Sequence, residues 1–213
     1  MDNRPVAYNP NGNDPKFPML PDGSARDVDW SRSHIDTWKD MESLLSTGKV
    51  RAIGVSNYSE KYLRQLLPHC KVIPAVNQIE NHPLLPQSEI TSLCKEKGIL
   101  VEAFSPFGST GSPLMSDSAV SAVAKRHGVG QGTVLLSWHV SAGRVALAKS
   151  VTEQRIMENL GVVELASEDI KELEGVPERN GGIKRFIYPP HGVNFGFPDK
   201  DFGTVAPEYV PKA

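Results

Sequence analysis

From residue 33 onward the chain alternates apolar and polar positions with a clear period. Ile35, Trp38, Met41, Leu44 and Leu45 recur at helical spacing. Ser33 with Asp36 can cap the start of this run and Gly48 can end it, so the pattern predicts a helix over 33–47. Apolar, β-branched stretches follow in alternation with amphipathic ones. Strands are predicted at VRAIGV (50–55), AVNQIE (75–80), ILVEAFS (99–105) and VALAKS (145–150). Helices are predicted at about 59–67, 88–97, 119–127 and 133–142, from Glu153 onward, and at 167–174. Four such strands separated by helices imply an α/β fold with a parallel sheet packed against helices. Gly48, Gly98 and Gly128 each fall just after a helix, where a left-handed cap costs glycine least.

The ends of the chain lack this period. Residues 5–30 are dense in Pro, Asn, Asp and Gly and read as one long loop, and the segment from Gly175 to Ala213 is rich in Pro, Gly and aromatics. The expected organisation is a loop over 1–32, an α/β body over 33–175 and a tail over 176–213. A length of 213 residues with 39% hydrophobic and 23% charged content suits one ordinary globular domain. A net charge of −2 leaves no electrostatic footprint for nucleic acid or an anionic membrane. No apolar run approaches the ~18 residues of a spanning helix, and Met1-Asp-Asn-Arg does not open a signal peptide, so a cytoplasmic location is expected. Cys70 and Cys94 have no metal or redox spacing and read as buried thiols.

Chemistry gathers where the strands stop. Ser56 and Asn57, Asn77 and Gln78 with Glu80 and Asn81, Phe104-Ser105-Pro106, and Lys149-Ser150 follow the four apolar runs. In parallel α/β folds the carboxyl edge of the sheet is where ligands bind, because the strand-to-helix loops and helix N-termini collect there. Each pair alone is also compatible with simple helix capping. The last group is the richest: Lys149, Ser150, Thr152 and Arg155 supply an ammonium, hydroxyls, a guanidinium fork and a helix start, the donors that suit a phosphate. The same residues could instead be a capping Thr and two solvated cations. Gly128-Val-Gly130-Gln-Gly132 has the wrong spacing for a dinucleotide loop and joins two helices, so it reads as a turn. The six histidines show no metal-ligand spacing, and no nucleophile-elbow or Walker motif is present.

Four segments together, GKVRAIGVSNYS (48–59), AVNQIENHPLLPQ (75–87), VEAFSPFGS (101–109) and VALAKSVTEQRIMENL (145–160), resemble the last four strand-end motifs of the aldo-keto reductases, in order and with similar spacing. The long Asn/Pro loop resembles the fungal glycerol dehydrogenase and xylose reductase-like branch. The resemblance implies a (β/α)8 TIM-barrel lineage represented by strands five to eight with their helices, plus a C-terminal tail. It implies NADP(H) as cofactor. Ser56, Asn57 and Gln78 match the residues that hold the nicotinamide carboxamide, and Phe104 stands where a Tyr commonly stacks on the ring. Ser105, Pro106, Phe107 and Ser109 match the loop along the pyrophosphate. Lys149, Ser150, Val151, Thr152 and Arg155 match the pocket for the adenosine 2′-phosphate, and Glu158 and Asn159 match the adenine contacts. Ala148 departs from a common Pro.

The family's proton chemistry uses a Tyr whose pKa a Lys lowers, with an Asp and a His. The first three belong to the first half of the barrel, and Asn3 and Arg4 fall where a His-Trp pair would be, so no catalytic residue is assigned here. Tyr8, Tyr58, Tyr62, Tyr188 and Tyr209 have no context that replaces the missing Tyr. Three expectations follow: a truncated NADP(H)-dependent reductase of an aldehyde or ketone, a non-catalytic NADP(H)-binding or accessory protein, for example in a natural-product pathway, or a flavodoxin-like protein binding another phosphate. In the first, Phe107, the loop from Tyr8 to Phe17 and the tail from Phe186 to Phe197 would face a small carbonyl substrate. A half-barrel also leaves open sheet edges, which favour self-association.

Overall fold

The computed structural model describes residues 7–8, 18–23, 27–29, 31–188 and 195–199. Asn3, Arg4, residues 9–17 and 189–194 and Tyr209 lie outside them, and of Tyr8 only the backbone is described. The chain divides into two compact units, one comprising Met1–Ile53, Tyr58–Pro74 and Pro189–Ala213, the other Gly54–Asn57 and Ala75–Tyr188.

In the first unit, β1 (Ala7–Tyr8) pairs antiparallel with β2 (Val28–Asp29), so the segment expected as one long loop is closed at its base. Two residues are too few to show a period of two in the sequence. Helix α1 (His34–Leu45) starts with the expected capping box: Ser33 Oγ accepts from the Asp36 amide at 3.2 Å, and the Asp36 carboxylate accepts from the Ser33 amide at 3.0 Å. The Glu42 carboxylate accepts from the amides of Lys71 and Val72 at 2.7 and 2.9 Å, and Trp38 Nε1 donates to the Val72 carbonyl at 3.2 Å. These bonds tie α1 to the loop after α2 (Glu60–Leu66), which ends in a 3-10 turn over Leu67–His69. His34, Tyr58 and Tyr62 form an aromatic cluster with ring centroids 5.4 to 6.4 Å apart.

The second unit holds a four-stranded parallel sheet of β3 (Val55–Ser56), β4 (Val76–Glu80), β5 (Leu100–Phe104) and β6 (Val145–Leu147), in that spatial order. The strand expected over 50–55 shrinks to 55–56, because only Val55 and Ser56 face partners, Asn77 and Gln78 on β4. Gly54 lies just before them, where a Cβ would stand 2.9 Å from the Val76 carbonyl oxygen. The strand expected over 145–150 stops at Leu147 because its partner strand stops at Phe104. Lys149 and Ser150 therefore extend past the ladder as loop.

Around the sheet run α3 (Ser88–Glu96), α4 (Ser118–His127), α5 (Gln131–Ser141), α6 (Glu153–Glu158), α7 (Ser167–Glu174) and α8 (Val176–Arg179). The last is a short helix where only an irregular tail was expected. Asp117 caps α4 by accepting from the amides of Ala119 and Val120, and Gly128 ends it at φ +65°. The apolar core joins Val120, Val123, Val134, Leu135, Trp138 and Leu173 with Leu84 and Leu114. Helix α5 is buried from Thr133 to His139, apolar Val134, Leu135, Leu136 and Trp138 together with polar Thr133, Ser137 and His139. Within it, burial and then the nearby Arg144 and His82 push the His139 imidazole down to about 3, which keeps it neutral at physiological pH.

Both cysteines are free, and burial raises each thiol to about 11. Among the described residues no three His, Cys, Asp or Glu side chains form a metal-binding group, and no helix is long and apolar enough to cross a membrane.

Asp169 on α7 ties that helix to the end of α4. It accepts from His127 Nε2 at 2.8 Å, from Arg126 Nε and Nη2 at 3.0 and 2.6 Å, and from the Ala166 amide at 3.0 Å. The His127 bond first, then Arg126 and the Ala166 amide, hold its carboxyl down at about 2, against the burial that raises it. A carboxylate depressed in the folded state contributes stability above its unfolded pKa of ~3.9 and loses it as pH falls through the folded value. Asp169→Asn should cost about 1–2 kcal/mol at neutral pH, a figure reduced by the half-exposed Arg126 partner. In urea melts the wild-type advantage should persist down to about pH 4 and shrink toward pH 2; an advantage unchanged across that window would contradict the assignment.

Candidate functional site

Because the four strands are parallel, their carboxyl ends share one edge of the sheet. The register sets Ser56 beside Gln78 and Gln78 beside Glu102 in one row, with Glu80 beside Phe104 and Phe104 beside Leu147 two residues further on. Ser56 Oγ donates to the Gln78 carbonyl at 3.1 Å, and the Asn57 amide donates to the same oxygen at 2.8 Å. The Gln78 carboxamide donates to the Glu102 carboxylate, which fixes which of its ends is the acceptor. Asn57 sits at φ +57°, a left-handed conformation that Asn tolerates, and its Oδ1 is buried with no hydrogen-bond partner among the described residues.

The end of β5 turns sharply. Ser105 adopts φ +50°, its carbonyl accepts from the Gly108 amide at 2.8 Å, and the Ser109 carbonyl accepts from the Ser112 amide at 2.8 Å. This double turn carries Pro106, Phe107 and Ser109 past the sheet edge, with Phe104 half-buried at the strand end.

Beyond β6 lies a cleft of about 520 Å³. Phe107, Lys149, Ser150, Val151, Thr152, Arg155, Glu158 and Asn159 line it together with Met115 and residues 130–133. The structure thus brings the expected phosphate and adenine groups onto one concave surface with Phe107. Ser56, Asn57, Gln78, Phe104, Ser105, Pro106 and Ser109 stand outside it, at the ends of β3 to β5. Within the cleft Ser150 Oγ accepts from the Thr152 amide at 3.1 Å, and the lining Glu158 carboxylate accepts from Gln154 Nε2, on the same helix, at 2.8 Å. Thr152 precedes α6 but makes no capping bond with its side chain, so the hydroxyl is not committed to the helix. Lys149 and Arg155 are exposed and outside any ion pair among the described residues. Helix α6 has only six residues, so charged side chains rather than its dipole dominate the field there.

Sequence reasoning missed one wall of this cleft. The turn over Gly128 to Gly132 does join α4 to α5, but Gly130, Gln131, Gly132 and Thr133 also line the cleft, and Thr133 Oγ1 donates to the Glu158 carbonyl at 3.2 Å. A Cβ on Gly132 would touch the Phe107 ring at 3.7 Å. The glycines were a visible signal, but nothing local connects them to β6. Tyr58 and Tyr62 are both buried, and burial pushes the Tyr58 phenol well above its ordinary value, opposite to what a proton donor needs.

The family model for "Aldo/keto reductase family" matches residues 12–178. The chain belongs to the aldo/keto reductase family. It is 59% identical over 199 residues to a D-galacturonate reductase of Hypocrea jecorina, an alignment covering 92% of this chain and 64% of that protein. It is 43% identical over 186 residues to a glycerol 2-dehydrogenase (NADP(+)) of Saccharomyces cerevisiae, covering 86% and 59%. Among solved structures, an aldose reductase from Giardia lamblia superposes with a TM-score of 0.79 at 31% identity, covering 91% of this chain and 66% of that one. An aldose reductase from Schistosoma japonicum gives a TM-score of 0.74 at 31% identity, covering 85% and 56%. The aldo/keto reductase lineage implies a (β/α)8 barrel, with which the four-stranded parallel sheet is consistent, and this chain spans 55–64% of the length of the first relatives.

Proposed function

We propose that this chain forms the NADP(H)-holding side of a reductase that converts an aldehyde or ketone to an alcohol. The observation that carries the reading is the convergence of Lys149, Ser150, Thr152 and Arg155 on one cleft beside Phe107, with both cations outside any ion pair among the described residues. An anion with several oxygens matches that donor set, and the adenosine 2′-phosphate has this chemistry.

The other residues fit the remaining groups of the cofactor. The buried, unpartnered Asn57 Oδ1 is an acceptor for the nicotinamide carboxamide, and Ser56 and Gln78 complement its two ends. Phe104 offers a flat face at the end of β5. Ser105, Pro106, Phe107 and Ser109 would flank the pyrophosphate, Val151 would border the 2′-phosphate, and Glu158 and Asn159 would meet the adenine. When bound, NADPH supplies the hydride that reduces the carbonyl carbon.

The proton for the carbonyl oxygen needs a separate donor, and the Tyr58 phenol, raised by burial, does not suit that role. We therefore propose that residues 1–213, as a half-barrel lacking the family's catalytic tetrad, bind NADP(H) without turning over alone. Relatives named for D-galacturonate and glycerol point to a small polyhydroxylated carbonyl as the substrate class of the whole protein. The same half-barrel reading gives the chain a self-associating edge. Among the described residues β3 and β6 each pair on one side only, and the β6 edge runs beside exposed Val140, Ile156 and Leu160.

Fluorescence titration should give tighter binding of NADPH than NADH, and Arg155→Ala should weaken NADPH binding by about 10-fold or more while leaving NADH within about 2-fold. Equal affinities in the unsubstituted chain would refute the 2′-phosphate assignment. In light scattering the chain should run as a dimer or larger; a clean monomer with a cooperative melt would count against the open-edge reading.

A further inference from the structure

One carboxylate at the sheet edge is not among the groups proposed to hold the cofactor. Glu80, the last residue of β4, is fully buried. Its Oε1 accepts from the Phe186 amide at 2.8 Å and stands 3.0 Å from His82 Nε2, and its Oε2 accepts from the Ile187 amide at 2.8 Å. A buried carboxylate is tolerated only when its lone pairs are filled, and here three donors fill them. The neighbouring bonds run the same way. The Glu80 carbonyl accepts from the Gln87 carboxamide, whose oxygen accepts from Arg185 Nη2 at 3.0 Å, and the Lys184 amide donates to the Leu84 carbonyl at 2.8 Å. Four consecutive residues, 184 to 187, are thus bound to the β4 end and its loop.

This clamp decides where one ring goes. Phe186 lies 5.5 Å from the His82 ring and packs on the same apolar cluster as Phe107. Its Cε2 is 3.3 Å from the position a Cβ would take on Gly108, a residue that sits at φ +74° in the turn after β5. Phe107, next to Gly108, is a wall of the cleft. We propose that Glu80 is a positioning residue: by clamping the amides of Phe186 and Ile187 it seats the Phe186 ring against Gly108, and so fixes the β5 loop and the Phe107 side of the cleft. The effect on the nucleotide rests on the NADP(H) reading; the effect on the loop does not.

The test compares the full chain with its Glu80→Gln and Phe186→Ala variants by hydrogen exchange, limited trypsin digestion and NADPH titration. Glu80→Gln should speed cleavage after Lys184 and Arg185, and exchange of the Gly108 and Ser112 amides, by about 10-fold, leaving the β4–β5 ladder within about 2-fold. Phe186→Ala keeps the clamped amides, so it should speed exchange at Gly108 and Ser112 with cleavage near the original rate. In both variants the Kd for NADPH should rise by about 5-fold. Unchanged exchange at Gly108 and Ser112 would overturn the proposal, and so would a rise spread evenly over the ladder, the mark of a merely structural role. If Glu80→Gln fails to fold, Phe186→Ala decides through the same two amides. If the unsubstituted chain binds no NADPH, the cofactor reading fails while loop exchange still judges the clamp. Equal NADPH affinity in all three proteins would overturn the coupling to the cleft.

Discussion

Parallel pairing of β3, β4, β5 and β6 is the constraint on which the candidate site depends. Four parallel strands deliver their carboxyl ends to one edge, so residues separated by 22 to more than 40 positions become neighbours there without any motif that joins them. The register, not the loops, aligns Ser56, Gln78 and Glu102. Once that row is fixed, the chain has nowhere to go but past the edge, and it does so through left-handed turns at Asn57 and Ser105. These two residues tolerate the conformation at some cost, and the cost falls where backbone must turn away from a ladder and expose its side chains.

The two sides of the edge differ in how they are held. The β4 and β5 ends are tied down by buried polar contacts, above all the Glu80 carboxylate on the amides of Phe186 and Ile187. The β6 end is open: Lys149, Thr152 and Arg155 are exposed, and α6 is short. A rigid side suits the flat, uncharged end of a dinucleotide, where hydrogen-bond geometry discriminates. An open, cationic side suits a phosphate that stays partly solvated, where charge does most of the work. The proposed division of NADP(H) between them follows from this contrast.

Much of this could be read from the chain. The Ser33 and Asp36 capping box, the helices, and the strands at 75–80 and 99–105 emerge with bounds shifted by a residue or two, because period and caps are local. The strand at 50–55 did not survive as such: its length depends on how far β4 offers partners, which no local pattern encodes. The pairing of Ala7–Tyr8 with Val28–Asp29 was hidden for the same reason. The phosphate-type residues after β6 were legible as a cluster because they lie within seven positions of one another. The glycines at 130 and 132 are legible as a turn, but their place on the cleft wall depends on how α5 packs beside Phe107. Glu80 looked like one more polar residue at a strand end. Beside His82, two residues on, its partners are amides 106 and 107 residues away, beyond the reach of any spacing rule.

The central claim is that the cleft beyond β6 selects a 2′-phosphate, and it can be tested without the nicotinamide half of the cofactor. Calorimetric titration with adenosine 2′,5′-bisphosphate and with 5′-AMP isolates that one group. The account predicts that the bisphosphate binds at least about 10-fold more tightly, with the difference abolished by replacing Lys149 and Arg155 together. Equal binding of the two nucleotides, or a preference that survives the double replacement, would contradict it.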